Sequence, residues 1–110
     1  SNGKIVDKWT NNVDLEKGKL IIARKYNPFK KMFILGAGFP DFVAFQPVHD
    51  ELYRVMGVEA KMNGILSKEE KEKCAWYLQK RIFPNILLAK KGKKRGEIEY
   101  INIGEKYEIK

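Results

Sequence analysis

The chain is poor in the residues that staple or metallate small proteins. It holds one cysteine, Cys74, and one histidine, His49. A lone cysteine excludes an internal disulfide, and the two together exclude the common Cys/His zinc sites. No apolar run approaches the ~18 residues needed to cross a bilayer, so no membrane-spanning role is expected. The opening Ser1-Asn2-Gly3-Lys4 lacks the apolar stretch of a secretory signal. With no disulfide, the expected setting is the reducing cytoplasm. Acids are also in short supply: 14 Asp and Glu face 22 Lys and Arg, a net charge of +8. A surplus of that size favours polyanionic partners, nucleic acid first and an anionic membrane surface second.

What is present suffices for one core. The 110 residues are 44% hydrophobic and 12% aromatic, which fits a single domain over 1–110 and argues against disorder. Val13-Asp14-Leu15-Glu16-Lys17 reads as the opening of a helix capped by Asp14, although Gly18 follows at once. Leu20-Ile21-Ile22-Ala23 is a short apolar run left open between strand and helix, and Met32-Phe33-Ile34-Leu35 reads as a strand after the turn at Asn27-Pro28. Gly36-Ala37-Gly38-Phe39-Pro40 breaks regular structure. Phe42 to Phe45 and Leu52 to Lys61 then form an antiparallel hairpin around a polar turn at Pro47 to Glu51. Apolar residues on both faces of the second strand predict a central strand covered on both sides. Ser67-Lys68-Glu69-Glu70 has the spacing of a capping box. The helix it opens runs to about Ile82 and ends at Pro84. Ile86 to Ala89 is a short buried strand, Lys90 to Gly96 a basic turn, and Glu97 to Ile103 a last strand. The expected fold is a mixed α/β domain.

Two carboxylates and a lysine stand out by position. Asp41 follows Pro40 at the mouth of one strand. Glu59 and Lys61 close the neighbouring apolar strand, and their two-residue spacing points both side chains to one face. Paired strands would gather these three groups at the sheet's edge. Oxygen donors of this kind suit Mg²⁺ or Mn²⁺, which polarise phosphoryl oxygens and acidify water. Lys61 would orient that water or offset charge developing on a phosphate. The plainer alternative is an ordinary ion pair at a strand end. Against it stand the cost of burying charge in the most apolar strand, the adjacency of Asp41, and the basic balance of the chain.

These residues resemble the PD-(D/E)-x-K nuclease signature: Pro40-Asp41, 17 residues, then Glu59-Ala60-Lys61. Gly38-Phe39-Pro40-Asp41-Phe42-Val43-Ala44 is similar to the G-x-P-D-hydrophobic segment of the VRR-NUC branch. Met62-Asn63-Gly64-Ile65-Leu66-Ser67 is similar to its continuation into a helix. Archaeal Holliday junction resolvases share this core. The resemblance covers residues 36–89, about half the chain. It implies a restriction-endonuclease-like α/β fold, a mixed β-sheet core flanked by helices. It also implies Mg²⁺- or Mn²⁺-dependent endonuclease cleavage of duplex or branched DNA, leaving 5′-phosphate. Asp41 and Glu59 would be metal ligands with the Ala60 carbonyl, and Lys61 the catalytic lysine. Glu16 is the candidate for the acid of the family's first helix. Glu70 departs from the pattern, standing near a place where the family often has glutamine. Paired copies occur in this branch, and two-fold assembly is the commonest symmetry, so a homodimer is expected.

Lesser signals weigh less. Lys90, Lys91, Lys93, Lys94 and Arg95 form a basic turn suited to gripping phosphate, or a solvated tip that blunts edge pairing. Cys74 falls on the helix's apolar stripe and reads as core. His49 beside Asp50 reads as surface. Trp9 and Trp76 read as packing or a subunit contact rather than base stacking. The function reading that competes with a nuclease is a non-catalytic nucleic-acid-binding module, and behind it a small subunit whose basic face docks an acidic protein.

Overall fold

The structure, a computed structural model, describes residues 5–27, 29–35 and 38–109. Pro28, Gly36 and Ala37, named above in turn and breaker signals, lie outside them. Among the described residues the order is β1 (Ile5–Lys8), β2 (Asn11–Asp14), β3 (Lys19–Ile22), β4 (Arg24–Asn27), β5 (Met32–Leu35), β6 (Phe42–His49), β7 (Leu52–Ala60), α1 (Lys68–Gln79), β8 (Asn85–Lys91), β9 (Ile98–Asn102) and α2 (Ile103–Lys106). Five strands form the main sheet, ordered β1-β6-β7-β8-β9, while β2-β3 and β4-β5 are separate two-stranded sheets. β7 and β8 run parallel, with α1 as their crossover, and the remaining pairs in the main sheet are antiparallel. This is the mixed α/β architecture that the strand and helix order predicts.

Local chemistry explains the elements that position the site. β6 and β7 are joined by Asp50 and Glu51, both left-handed at φ +45° and +67°, with His49 opposite Leu52. Two left-handed residues in a two-residue loop match the twist of the flanking strands. The turn is therefore tighter than the Pro47–Glu51 segment expected, and β6 continues through an irregularity between Pro47 and His49. At α1 the capping box is complete: Glu70 N donates to Ser67 Oγ at 3.1 Å, and Ser67 N donates to Glu70 Oε1 at 2.8 Å.

Three expectations need correction. Val13–Lys17 is not a helix start but the end of β2 and a tight turn. Asp14 Oδ1 does accept from Lys17 N, at 3.1 Å, yet Gly18 at φ +63° turns the chain back as β3. The same cap chemistry closes a turn when glycine follows. Secondly, α1 stops at Gln79, not Ile82. Arg81 N donates to Leu78 O and Ile82 N to Tyr77 O, with Arg81 at φ +59°. This is a Schellman ending with arginine at the usual glycine position. Thirdly, β7 is central in the sheet, but its face away from Glu59 is buried only in part: Met56 is buried, Val58 half-buried and Ala60 exposed.

The main core cluster lies on the α1 face, while Ala44 and Met56 are buried on the other. Val43 on β6, Ile86 and Leu88 on β8, and Cys74 and Tyr77 on α1 pack with Phe39, Phe83 and Ile103. Trp9 meets Phe83 edge-on with centroids 4.9 Å apart, and its Nε1 donates to Tyr77 Oη at 3.1 Å. Trp76 packs at the edge of the same cluster, against Tyr77, so both tryptophans serve packing. Gly57 makes room on this face: a Cβ there would lie 2.8 Å from Pro40 Cγ and 3.2 Å from Phe83 Cδ2.

Candidate functional site

Strand direction brings the candidate residues to one end of the sheet. β7 and β8 are parallel, so Glu59 and Ala89 finish at the same edge. β6 is antiparallel to β7, so it begins there, just after Asp41. The β8–β9 turn with Lys93, Lys94 and Arg95 belongs to that edge as well. Strand ends of this kind, beside a helix N-terminus, are common locations for sites in α/β folds.

The two carboxylates interlock through the backbone. Asp41 N donates to Glu59 Oε1 at 3.0 Å, and Ala60 N donates to Asp41 Oδ2 at 3.0 Å. Each acid is thus oriented by the other's strand. Glu59 is 5% exposed, the buried charged residue among the described core. Burial, followed by the nearby Asp41 carboxylate, pushes its pKa up to about 7 from the ordinary 4.5, against the lowering effect of the Asp41 N–H bond.

Lys61 leaves β7 on the same face. Its N–H donates to Ala89 O at 2.9 Å, and its Nζ lies 2.7 Å from Glu70 Oε2. The hydrogen bond to Glu70 raises the lysine above its ordinary value. Burial alone would raise Glu70, but the bonds from Lys61 and Ser67 outweigh it and hold the carboxylate below its ordinary range. Glu70 therefore works with both oxygens: Oε1 completes the helix cap and Oε2 holds the lysine. The sequence marks Glu70 as a cap and as a departure from the family, but not as the partner of Lys61. A carboxylate at the third helical position, a short loop after a strand-end lysine, is the signal that points to it.

Other candidates fall at different distances from this centre. The register Ala60↔Ala89 sets Lys90 level with Lys61 on the face of Glu59. Lys91 alternates to the opposite face, while Lys93, Lys94 and Arg95 are exposed in the turn. Glu16 sits exposed in the β2–β3 turn. Among the described residues no group of three or more His, Cys, Asp or Glu side chains converges as a metal site, so Glu16 does not join Asp41 and Glu59. Cys74 is buried in the core, its thiol pushed up to about 12 chiefly by burial. His49 is a surface residue 3.4 Å from Asp50 Oδ2.

The donor set fits a hard divalent cation. Two carboxylates and a backbone carbonyl at a strand edge are oxygen donors, and Mg²⁺ needs only one or two carboxylates besides water and phosphate. A carboxyl forced upward by burial and by a second carboxylate is a group that a cation would relieve. No helix among the described residues is long and apolar enough to cross a membrane. No family model, no curated protein and no solved structure matches the chain.

Proposed function

We propose that this chain is a divalent-metal-dependent nuclease acting on DNA phosphodiester bonds. The observation that carries the reading is the interlocked Asp41–Glu59 pair on adjacent strands, with the Lys61 ammonium on the same face. Asp41, Glu59 and the Ala60 carbonyl would hold Mg²⁺ or Mn²⁺. When bound, such an ion would neutralise phosphate charge and lower the pKa of water at the site. The chain's own groups do the rest. Lys61 offers a fixed positive charge to the scissile phosphate, and its Glu70 contact keeps that charge near the carboxylates. Lys90 extends the positive face next to Lys61, and Lys93, Lys94 and Arg95 supply phosphate contacts that position the substrate without reading sequence.

A second reading has one observation of its own. Lys61 Nζ is committed to Glu70 at 2.7 Å, as it would be in a module that binds nucleic acid without cutting it. A cleavage panel decides between them: end-labelled duplex, single strand, flap and four-way junction, each with Mg²⁺, Mn²⁺ or excess EDTA. The nuclease reading expects cutting that EDTA abolishes. Asp41→Ala and Glu59→Ala should each lower it by roughly a hundredfold or more, with binding kept or slightly tightened because negative charge facing phosphate is removed. Wild-type cleavage by Asp41→Ala, or activity persisting in EDTA, would overturn the site assignment. Binding without cleavage on every substrate would give the lead to the binding module. Sedimentation with and without DNA tests the expected homodimer.

A further inference from the structure

The loop that leaves β7 holds two apolar side chains in water beside the candidate site. Met62 is 74% and Ile65 64% exposed, against 2% for the adjoining Leu66. A loose loop could fold such residues down, but this one is fixed along its length. Gly64 N donates to Lys61 O at 2.9 Å, and Lys91 N to Met62 O at 3.3 Å. Ile65 N donates to Asn63 Oδ1 at 3.0 Å, Leu66 N to Tyr107 Oη at 3.4 Å, and Lys106 Nζ to Gly64 O at 2.9 Å. Gly64, at φ +71°, makes the turn between them. The backbone is thus tied down on both sides of each exposed side chain.

Cations surround the pair. Lys61 precedes Met62, and the Lys90 side chain lies over Gly64, where a Cβ would come within 2.8 Å of its Cδ. Lys106 reaches the same glycine. The bond from Lys91 N to Met62 O sets the loop against the end of β8, where the chain enters the turn of Lys93, Lys94 and Arg95. Residues 61–66 include no acid. The next two acids, Glu69 and Glu70, lie 3.4 Å from Lys73 and 2.7 Å from Lys61. Single exposed apolar residues are ordinary on protein surfaces. Two on one fixed loop, between the site's lysine and a turn of exposed cations, are not.

We propose that Met62 and Ile65 form a wedge that enters the base stack of bound DNA and selects duplex steps whose stacking is already weak, such as a mismatch. Apolar side chains inserted between base steps open a duplex, while neighbouring cations hold the flanking phosphates. Opening a step costs least where a base is mismatched, so a wedge turns weak stacking into tighter binding. Size favours bases over a protein partner. A stable protein interface takes about 800 Å² from each side, whereas a wedge needs only one or two side chains. The cations around the pair suit phosphate for the same reason that they repel a second basic surface. The inference rests on the DNA binding proposed above, and not on cleavage.

Binding in EDTA tests it without cleavage, on a fully paired duplex and on one with a central mismatch beside a 2-aminopurine. Anisotropy should show the wild type binding the mismatched duplex about tenfold tighter, and 2-aminopurine fluorescence should rise as the base unstacks. Met62→Ser/Ile65→Ser should bind the paired duplex within about twofold of the wild type, yet lose both the preference and the fluorescence rise. Both side chains are exposed, so the fold should survive, and circular dichroism checks that it does. Met62→Leu/Ile65→Leu, which keeps apolar bulk, should retain both effects. Equal affinity for the two duplexes, unchanged fluorescence, or a serine variant as selective as the wild type overturns the proposal while leaving DNA binding in place. A wild-type dimer that the serine variant dissociates overturns it too, by making the pair a subunit contact. If no DNA binds, the inference falls together with both nucleic-acid readings. Selective binding here without cutting in the metal panel would sink the nuclease reading alone.

Discussion

At the scale of single residues, Glu59 sets an electrostatic cost at the centre of the sheet. Its carboxyl titrates at about 7 in the folded chain, against an ordinary 4.5. Between those values the folded state binds a proton that the unfolded state has released. Stability of the metal-free chain therefore falls as pH rises through that window, and Glu59 contributes no such loss below it. The full difference corresponds to roughly 3 kcal/mol. Glu59→Gln, which keeps the shape without the charge, should remove this slope, so that the variant gains on the wild type between pH 5 and pH 8. Urea denaturation at the two pH values measures the gap, and Mg²⁺ should narrow it at pH 8 by stabilising only the wild type. Parallel stability curves for the two proteins would contradict the assigned cause. Glycine at position 57 belongs to the same scale, because Pro40 and Phe83 occupy the space its side chain would take.

Among the elements, the start of α1 couples helix stability to the lysine. Ser67→Ala removes the hydroxyl that caps Glu70 N and should cost about 1 kcal/mol, leaving the Lys61–Glu70 pair in place. Glu70→Gln keeps a group able to bond Ser67 N but removes the ion pair. It should therefore change stability less than Ser67→Ala, while moving the lysine's titration back toward its ordinary value. Thermal melts and side-chain NMR titration separate the two effects. This helix start was legible because serine and glutamate at that spacing satisfy each other's backbone donors. Its end was not, because the left-handed position is filled by Arg81 rather than glycine. The β6–β7 hairpin was legible from its apolar run and short turn, and with it the approach of Asp41 to Glu59. The first forty residues resisted reading for a physical reason: their strands are four residues long, too short to show a period. β1 also finds its partner only at β6, with Ile5 opposite Phe45. The uneven burial of β7's second face, with Met56 buried and Ala60 exposed, was hidden because apolar residues on both sides of a strand look the same whatever lies over them.

For the molecule as a whole, the net charge of +8 includes the exposed cations Lys93, Lys94 and Arg95 of the β8–β9 turn. Neutralising Lys93, Lys94 and Arg95 together should weaken DNA binding on every sequence alike. The slope of log K against log salt should fall by up to about three. Anisotropy across a salt series measures it, and an unchanged slope would remove the turn from the interface. Cys74 has a different use at this scale. It is the chain's single thiol, fully buried between α1 and the sheet, with its pKa pushed up to about 12. A thiol reagent can reach it only when the helix lifts away. Its labelling rate should therefore be far below that of an open cysteine and should rise with urea in step with unfolding. That makes one native sulfur a clock for opening events, and leaves the exterior chemically silent for any spectroscopic label introduced through a second cysteine.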